Sequence, residues 1–181
     1  MPTAKEYQAK IANYNWDDLV QLWSEIESGD TPGWGAGKAL EYLVLRAFGL
    51  DGAEVTWPYS VQFDGTSLEQ IDGVVYSDCL ACIIECKDSN ESLNIEAIAK
   101  LRNQLLRRPT TSIGSVFSRS GFTVGAITLA RYISPQTILL WGGKEIKYSL
   151  YNKYIRRSLI KKYRYCVEYG LPDYDITIED I

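Results

Sequence analysis

Residues 68–87 read LEQIDGVVYSDCLACIIECK, and the alternation of side chains in this stretch decides the fold. Two apolar runs within it are typical of strands, and a short polar turn between them suits an antiparallel connection. Each run is interrupted by one acid, Asp72 in the first and Glu85 in the second. Because a hairpin of this length returns the chain on itself, we expect the two carboxylates to lie side by side.

The second of these strands carries two opposite charges on one face. Side chains alternate across a strand, so Glu85 and Lys87 project away from the face that carries Ile84 and Cys86. A purely structural strand would be apolar at both positions, because burying unpaired charge is costly. An exposed sheet face with a surface ion-pair cluster is the alternative interpretation.

Paired carboxylates indicate a particular chemistry. Asp72 and Glu85 would raise each other's pKa unless a cation neutralises them, and an all-oxygen site suits Mg²⁺ or Mn²⁺. Lys87 can then hold an attacking water and stabilise the charge that develops on phosphorus. The pattern therefore predicts a divalent-metal site that hydrolyses phosphodiester bonds. Glu41, on an upstream helix, is a further candidate, although an acid beside an apolar helix stripe is usually only solvated.

The remaining periodicities place this pair of strands in an α/β fold with a mixed central β-sheet flanked by helices. The first three strands should form an antiparallel meander. The predicted helices cover residues 6–27, 40–48, 93–108 and 122–132, and the predicted strands cover residues 53–63, 68–76, 80–86, 113–118 and 137–141.

A length of 181 residues is typical of a single domain. Within residues 1–181 we distinguish an N-terminal helical segment, residues 1–30, and a core, residues 37–141. Residues 142–181 form a basic helical segment that ends in an acidic tail. The amino terminus lacks the apolar stretch of a secretory signal, so we expect a cytoplasmic protein with no membrane association.

The formal net charge of −4 argues against a protein that coats nucleic acid by bulk electrostatics. The basic segment near the carboxyl end is nevertheless a candidate phosphate-contacting surface, and a solvated helix face over a tyrosine-rich core is the alternative. The candidate nucleic-acid contacts are Arg119, Arg156, Arg157, Lys161 and Lys162.

Several other functional classes are disfavoured by the sequence. The chain has no histidine, which excludes a serine hydrolase with a histidine base and makes a four-ligand zinc site at Cys79 and Cys82 improbable. The glycine-rich stretch that ends at Lys38 lacks the first glycine and the hydroxyl residue of a phosphate-binding loop, and no strand precedes it.

The acids and the lysine carry a resemblance to a known family. Ile71-Asp72-Gly73, followed by Ile84-Glu85-Cys86-Lys87, resembles the PD-(D/E)XK nuclease motif in the form typical of Mrr-like restriction endonuclease catalytic domains. The helix that starts GKALE at residues 37–41 resembles the upstream acidic helix of that family, and VFSRSGFT at residues 116–123 resembles a segment that follows its core helix.

The resemblance implies a restriction-endonuclease-like core with the order α-β-β-β-α-β. It implies that Asp72 and Glu85 ligate Mg²⁺, joined by the backbone carbonyl of Cys86, while Lys87 assists the nucleophilic water. Glu41 would be a further ligand or a water-orienting acid. Gln104, on the helix after the strands, matches a glutamine that many Mrr-like proteins place near the site.

The sequence thus predicts a metal-dependent deoxyribonuclease of a restriction or defence system, acting as a homodimer or beside a separate recognition or motor subunit. A non-catalytic nucleic-acid-binding or assembly module with the same fold is the competing hypothesis. RNA and branched DNA stay open as substrates, because the chemistry of the site is common to them.

Overall fold

The computed structural model describes residues 2–178, so Glu179 and Asp180 of the predicted acidic tail lie outside the described residues. The elements follow in the order α1 (Ala4–Ala12), α2 (Trp16–Ser28), α3 (Lys38–Leu50), β1 (Glu54–Thr56), β2 (Tyr59–Phe63), β3 (Thr66–Ile71), β4 (Gly73–Ser77), β5 (Leu80–Lys87), α4 (Ile95–Leu105), β6 (Ser112–Ser118), α5 (Val124–Tyr132), β7 (Ile138–Trp141), α6 (Gly143–Asn152) and α7 (Ile155–Tyr169). Within the described residues, no helix is both long and apolar enough to cross a membrane.

A five-stranded mixed sheet in the order β1-β4-β5-β6-β7 forms the centre of the fold. Strands β1, β4 and β5 pair antiparallel, whereas β5, β6 and β7 pair parallel. Apolar side chains of α1, α2, α3, α6 and α7 cover one face, and those of α4 and α5 cover the other. The α/β fold predicted from the sequence, with a mixed sheet flanked by helices, is confirmed.

Strand β5 contributes to both cores by alternation. Cys82, Ile84 and Cys86 pack toward α3, and Ile83 packs toward α4. Glu85 follows Ile83 in this alternation, so its side chain lies on the α4 side of the sheet. This placement decides which cations the carboxylate meets.

The prediction of one helix over residues 6–27 is wrong. Helix α1 ends at Ala12 and α2 begins at Trp16. Asn15 lies between them, and its side chain accepts hydrogen bonds from the backbone N–H groups of Asp17 and Asp18 at 2.8 and 3.2 Å. Asparagine is a preferred residue at this capping position, and the cap starts a second helix although the apolar spacing continues.

The predicted first and second strands pair with each other, but each is broken in its middle. Strand β1 pairs with β4, and beyond the break β2 pairs with β3 as a separate two-stranded sheet. Pro58, which cannot donate to a strand ladder, lies in the first break, and Asp72 lies in the second. The simple meander is therefore corrected: only β1, β4 and β5 form it, and the β2–β3 hairpin leaves the main sheet beside Asp72.

Candidate active site

Helix α3 places Glu41 near the start of β4. The two elements contact each other at Leu45, one helical turn after Glu41, and at Gly73. A Cβ atom on Gly73 would lie 2.5 Å from a methyl group of Leu45, so the absence of a side chain at Gly73 leaves room for Leu45 of α3 against β4. Leu45 and Glu41 are four residues apart and share a helix face. The contact thus places Glu41 near Asp72, and Lys38 donates to the Glu41 carboxylate at 2.6 Å.

Asp72 is held at the break between β3 and β4. Its side chain is buried, and Oδ2 accepts a hydrogen bond of 2.9 Å from the backbone N–H of Cys86 on β5. The register pairs Gly73 with Ile84, and one step further along both strands Asp72 lies beside Glu85. The structure therefore brings together the two carboxylates that the hairpin argument places side by side.

Glu85 is fully buried and is bound by two ammonium groups. Lys87 Nζ lies 2.8 Å from Oε1, and Lys100 Nζ on α4 lies 2.6 Å from Oε2 and 2.8 Å from Oε1. The side chains of Lys87 and Lys100 are 42% and 41% exposed, whereas that of Glu85 is 0% exposed. A buried carboxylate at the edge of the core thus faces two cations that reach solvent.

The acids of this cluster influence one another electrostatically. Burial raises the pKa of Glu41 to about 7, with the charge of Asp72 adding to the effect and the hydrogen bond from Lys38 opposing it. Burial also raises the pKa of Asp72, as does the charge of Glu85, while the Cys86 N–H, Lys100 and Lys87 lower it. Burial lowers the pKa of Lys87, but its hydrogen bond to Glu85 and the nearby negative charges outweigh this and hold the pKa above its usual value.

The side chains are not arranged around one common point. Among residues 2–178, no group of three histidine, cysteine, aspartate or glutamate side chains is placed to hold a metal ion. Glu41 approaches from the α3 side and pairs with Lys38, whereas Glu85 turns to the α4 side and pairs with Lys87. The donor set of carboxylate oxygens fits a hard divalent cation in its chemistry, but these ion pairs must open before the oxygens can converge. The predicted metal role of the Cys86 carbonyl stays a prediction.

Gln104, predicted to lie near the site, contacts the hairpin strand that leads into Asp72. Its buried side chain donates to the backbone carbonyl of Gln70 in β3 at 3.0 Å. This hydrogen bond joins α4 to the hairpin strand that leads into Asp72. A catalytic role of Gln104 stays a prediction, and the contact shown is one that positions α4.

Sequence reasoning missed Lys100, although it binds Glu85 as closely as Lys87 does. A weak signal was present, since Lys100 precedes Gln104 by four residues and therefore shares its helix face. Nothing in the sequence, however, shows which face of the sheet α4 covers.

The predicted nucleic-acid contacts fall into different environments. The prediction that Lys162 contacts phosphate is wrong, because its side chain is fully buried. Its ammonium lies 2.7 Å from Glu145 and donates to the Tyr174 carbonyl at 2.6 Å. Arg156 donates to Ser77 and to the Asp51 carbonyl, near the start of β5 and away from Glu85.

Of the other three residues, Arg119 and Lys161 are partly exposed and Arg157 is exposed. Arg119 pairs with Asp88, which directly follows Lys87. Arg157 and Lys161 line a groove of about 620 Å³ along α7. Their contacts with nucleic acid stay predictions.

The fold and this cluster define a restriction-endonuclease-like protein of the PD-(D/E)XK kind. The family model Mrr_cat, described as a restriction endonuclease, matches residues 36–150, a segment that contains all four charged residues of the motif. The chain belongs to this family.

Comparison with solved structures finds similar chains at low identity. The small subunit R.BspD6I2 of the heterodimeric restriction endonuclease R.BspD6I is 14% identical with a TM-score of 0.51, over 82% of this chain and 89% of that chain. AF1548, a protein of unknown function, is 16% identical with a TM-score of 0.48, over 83% and 79%. The DNA modification-dependent restriction endonuclease AspBHI is 13% identical with a TM-score of 0.47, over 90% and 40%. No curated protein matches the chain.

Proposed function

We propose that this chain is a Mg²⁺- or Mn²⁺-dependent endonuclease that hydrolyses phosphodiester bonds in DNA as part of a restriction or defence system. One observation carries the proposal. Asp72, at the break before β4, lies beside Glu85 of β5, and Lys87 is bound to Glu85, inside the segment that matches the family.

The residues that would hold the cation are Asp72 and Glu85, with Glu41 and the Cys86 carbonyl as further oxygen donors. A bound divalent cation supplies charge neutralisation of the phosphate and a lowered pKa of water. The carboxylates fit such a cation because oxygen ligands are what Mg²⁺ and Mn²⁺ prefer.

The chain's own side chains have separate tasks in the proposed reaction. Lys87, held at 2.8 Å from Glu85, is oriented to donate to a phosphate oxygen or to the attacking water. Glu41, with a pKa of about 7, can exchange a proton with water near neutral pH. Asp72 is oriented by its hydrogen bond from the Cys86 N–H, which would hold this carboxylate in place for the cation.

The proposed substrate is duplex DNA, and the proposed assembly contains a second subunit. A net charge of −4 provides little general attraction to phosphates, so a homodimer partner or a separate recognition or motor subunit would supply further contacts. R.BspD6I2, the relative with this fold, is itself named as the small subunit of a heterodimer. Light scattering of the purified chain with and without a DNA duplex measures whether it pairs with itself.

The deciding experiment is cleavage of supercoiled and linear DNA with Mg²⁺, with Mn²⁺ or with EDTA, beside the variants Lys87→Ala and Asp72→Ala. We expect metal-dependent cutting that both variants lose. RNA and a four-way DNA junction in parallel reactions test the other substrates. DNA binding without cutting of any substrate would favour the non-catalytic module instead.

A further inference from the structure

Helix α4 contributes a lysine to the acid cluster that the motif does not contain. Lys100 Nζ lies within 2.8 Å of both oxygens of Glu85, and its side chain is 41% exposed. Its charge also opposes the rise in the pKa of Asp72 that burial and Glu85 cause. Lys100 therefore contacts one of the two carboxylates proposed to bind the cation and acts electrostatically on the other.

Packing alone does not account for this arrangement. Glu85 is fully buried among apolar neighbours, and a buried ion pair is often no more stable than apolar residues of the same volume. Two lysines are nevertheless held on one carboxylate. The long apolar stem of Lys100 allows its ammonium to move toward solvent without opening the core.

Counted at their formal charges, the three acids of the cluster and its three lysines balance. The acids and their partners are Glu41 with Lys38, Glu85 with Lys87 and Lys100, and Asp72 with the Cys86 N–H. Adding a divalent cation to a balanced cluster is opposed by the ammonium groups already present. At least one lysine must withdraw, and Lys100 covers both oxygens that Glu85 would offer.

We propose that Lys100 is a positioning residue that competes with the divalent cation for Glu85. It neutralises the buried carboxylate in the metal-free protein and gives it up when the cation binds. The inference rests on the proposed function, because it concerns the cation of that same site.

The test compares Lys100→Met with Arg102→Met, which removes a positive charge from an exposed position on the same helix. Isothermal titration with Mn²⁺ alone, at fixed pH and ionic strength, measures the dissociation constant. We expect Lys100→Met to bind Mn²⁺ about tenfold more tightly than the unchanged protein, because a contacting competitor is removed. Arg102→Met should change the affinity less than about twofold, because exposed charges at a distance are screened.

A second readout separates competition from a purely structural role. In EDTA, Lys100→Met should unfold about 2–6 °C below the unchanged protein, because buried Glu85 has lost one counter-ion. In saturating Mn²⁺ the difference should vanish, because Lys100 no longer pairs with Glu85. A structural lysine would give the same deficit with and without Mn²⁺, and would not tighten Mn²⁺ binding.

The outcomes distinguish the two proposals. Equal Mn²⁺ affinity of the unchanged protein and Lys100→Met overturns the competition while leaving the nuclease proposal intact. If neither protein binds Mn²⁺, both proposals fail. Tighter Mn²⁺ binding in Lys100→Met but not in Arg102→Met, together with an unfolding-temperature difference that disappears in saturating Mn²⁺, establishes Lys100 as the competitor.

Discussion

Two of the ion-pair clusters among residues 2–178 are built around a fully buried side chain, and they differ in how their charges are enclosed. Lys162 is 0% exposed, pairs with Glu145 at 2.7 Å and donates to the Tyr174 carbonyl. Glu145 also accepts from the N–H groups of Gly142 and Ile176, at 2.9 and 3.3 Å. Each charge is enclosed by fixed protein partners, and together they fasten the chain beyond α7 to α6.

The Glu85 cluster has the opposite construction. Its carboxylate is as buried as Lys162, but its cations, Lys87 and Lys100, are each about two-fifths exposed. The partners can leave without stranding a charge in the core. We infer that enclosed charge pairs maintain the fold. A buried charge whose partners are partly exposed can instead release those partners and bind a ligand.

The sharpest test neutralises the acid of each cluster in turn. Glu85→Gln should lower cleavage on the order of 10³-fold, because a ligand of the proposed cation is lost. The free energy of unfolding in EDTA should fall by less than about 1 kcal/mol, since Lys87 and Lys100 can turn to solvent. Plasmid cleavage rates and urea unfolding provide the two measurements. A large loss of stability would show that the Glu85 cluster is structural after all.

Glu145→Gln should have the reverse profile. At pH 7 we expect a loss of about 3–5 kcal/mol in the free energy of unfolding, because Lys162 is left buried without its counter-ion. The cleavage rate per folded molecule should stay unchanged. Urea unfolding at 10 °C with a cleavage assay on the folded fraction measures both.

The loss in the free energy of unfolding caused by Glu145→Gln should also depend on pH. Burial lowers the pKa of Lys162 below the usual 10.5 even with Glu145 present. The unfolded chain therefore binds more protons between the folded and unfolded pKa values, so stability rises with pH through that window. Losing Glu145 extends the window downward, so the deficit should shrink toward pH 10. A deficit that stays constant from pH 7 to pH 10 would contradict this assignment.

The next prediction concerns the contact between Gly73 and Leu45, which places Glu41 near Asp72. Gly73→Ala should cost about 1–3 kcal/mol, because the added methyl group meets Leu45 at 2.5 Å. Because α3 is pushed away from β4, Mn²⁺ affinity should fall as well. Gly125→Ala is the matched control, since a Cβ there meets nothing within 4 Å on an exposed helix. Thermal unfolding and Mn²⁺ titration of both variants test the contact, and equal behaviour of the two would refute it.

Much of the local pattern around the site could be predicted, because it depends on alternation along one strand. That Glu85 and Lys87 share a face, and that Asp72 lies beside them, follows from a period of two and a hairpin. The identity of the facing helix does not follow. Lys100 reaches Glu85 only because a parallel β5–β6 crossover places α4 on that face of the sheet.

Two of the errors have the same origin, whereas the break at Asn15 is a local capping signal. Lys162 is one of several basic residues in a helix with alternating tyrosines, and its burial depends on Glu145 from another helix. Likewise, the break at Asp72 depends on the β2–β3 hairpin leaving the main sheet, which the pattern of residues 68–76 does not show. Local sequence describes an element, whereas the partner of a charge is decided by tertiary packing.

The smallest expected effect is a change in stability at Glu41, a buried acid whose partner Lys38 is 27% exposed. Burial raises the pKa of Glu41 from 4.5 to about 7, so the folded state favours its protonated form. The stability that this preference contributes is fully present below pH 4.5 and is lost as pH rises through 7. Glu41→Gln resembles the protonated form at every pH.

In EDTA at pH 8, Glu41→Gln should therefore be more stable than the unchanged protein, by about 1 kcal/mol after allowance for its lost contact with Lys38. The advantage should disappear by about pH 4.5, where both side chains are neutral. Thermal unfolding across this pH range measures the difference. A carboxylate that destabilises the metal-free fold is expected of a residue that serves ligand binding. A loss of stability in Glu41→Gln at pH 8 would instead show that Glu41 maintains the fold, as Glu145 and Lys162 do.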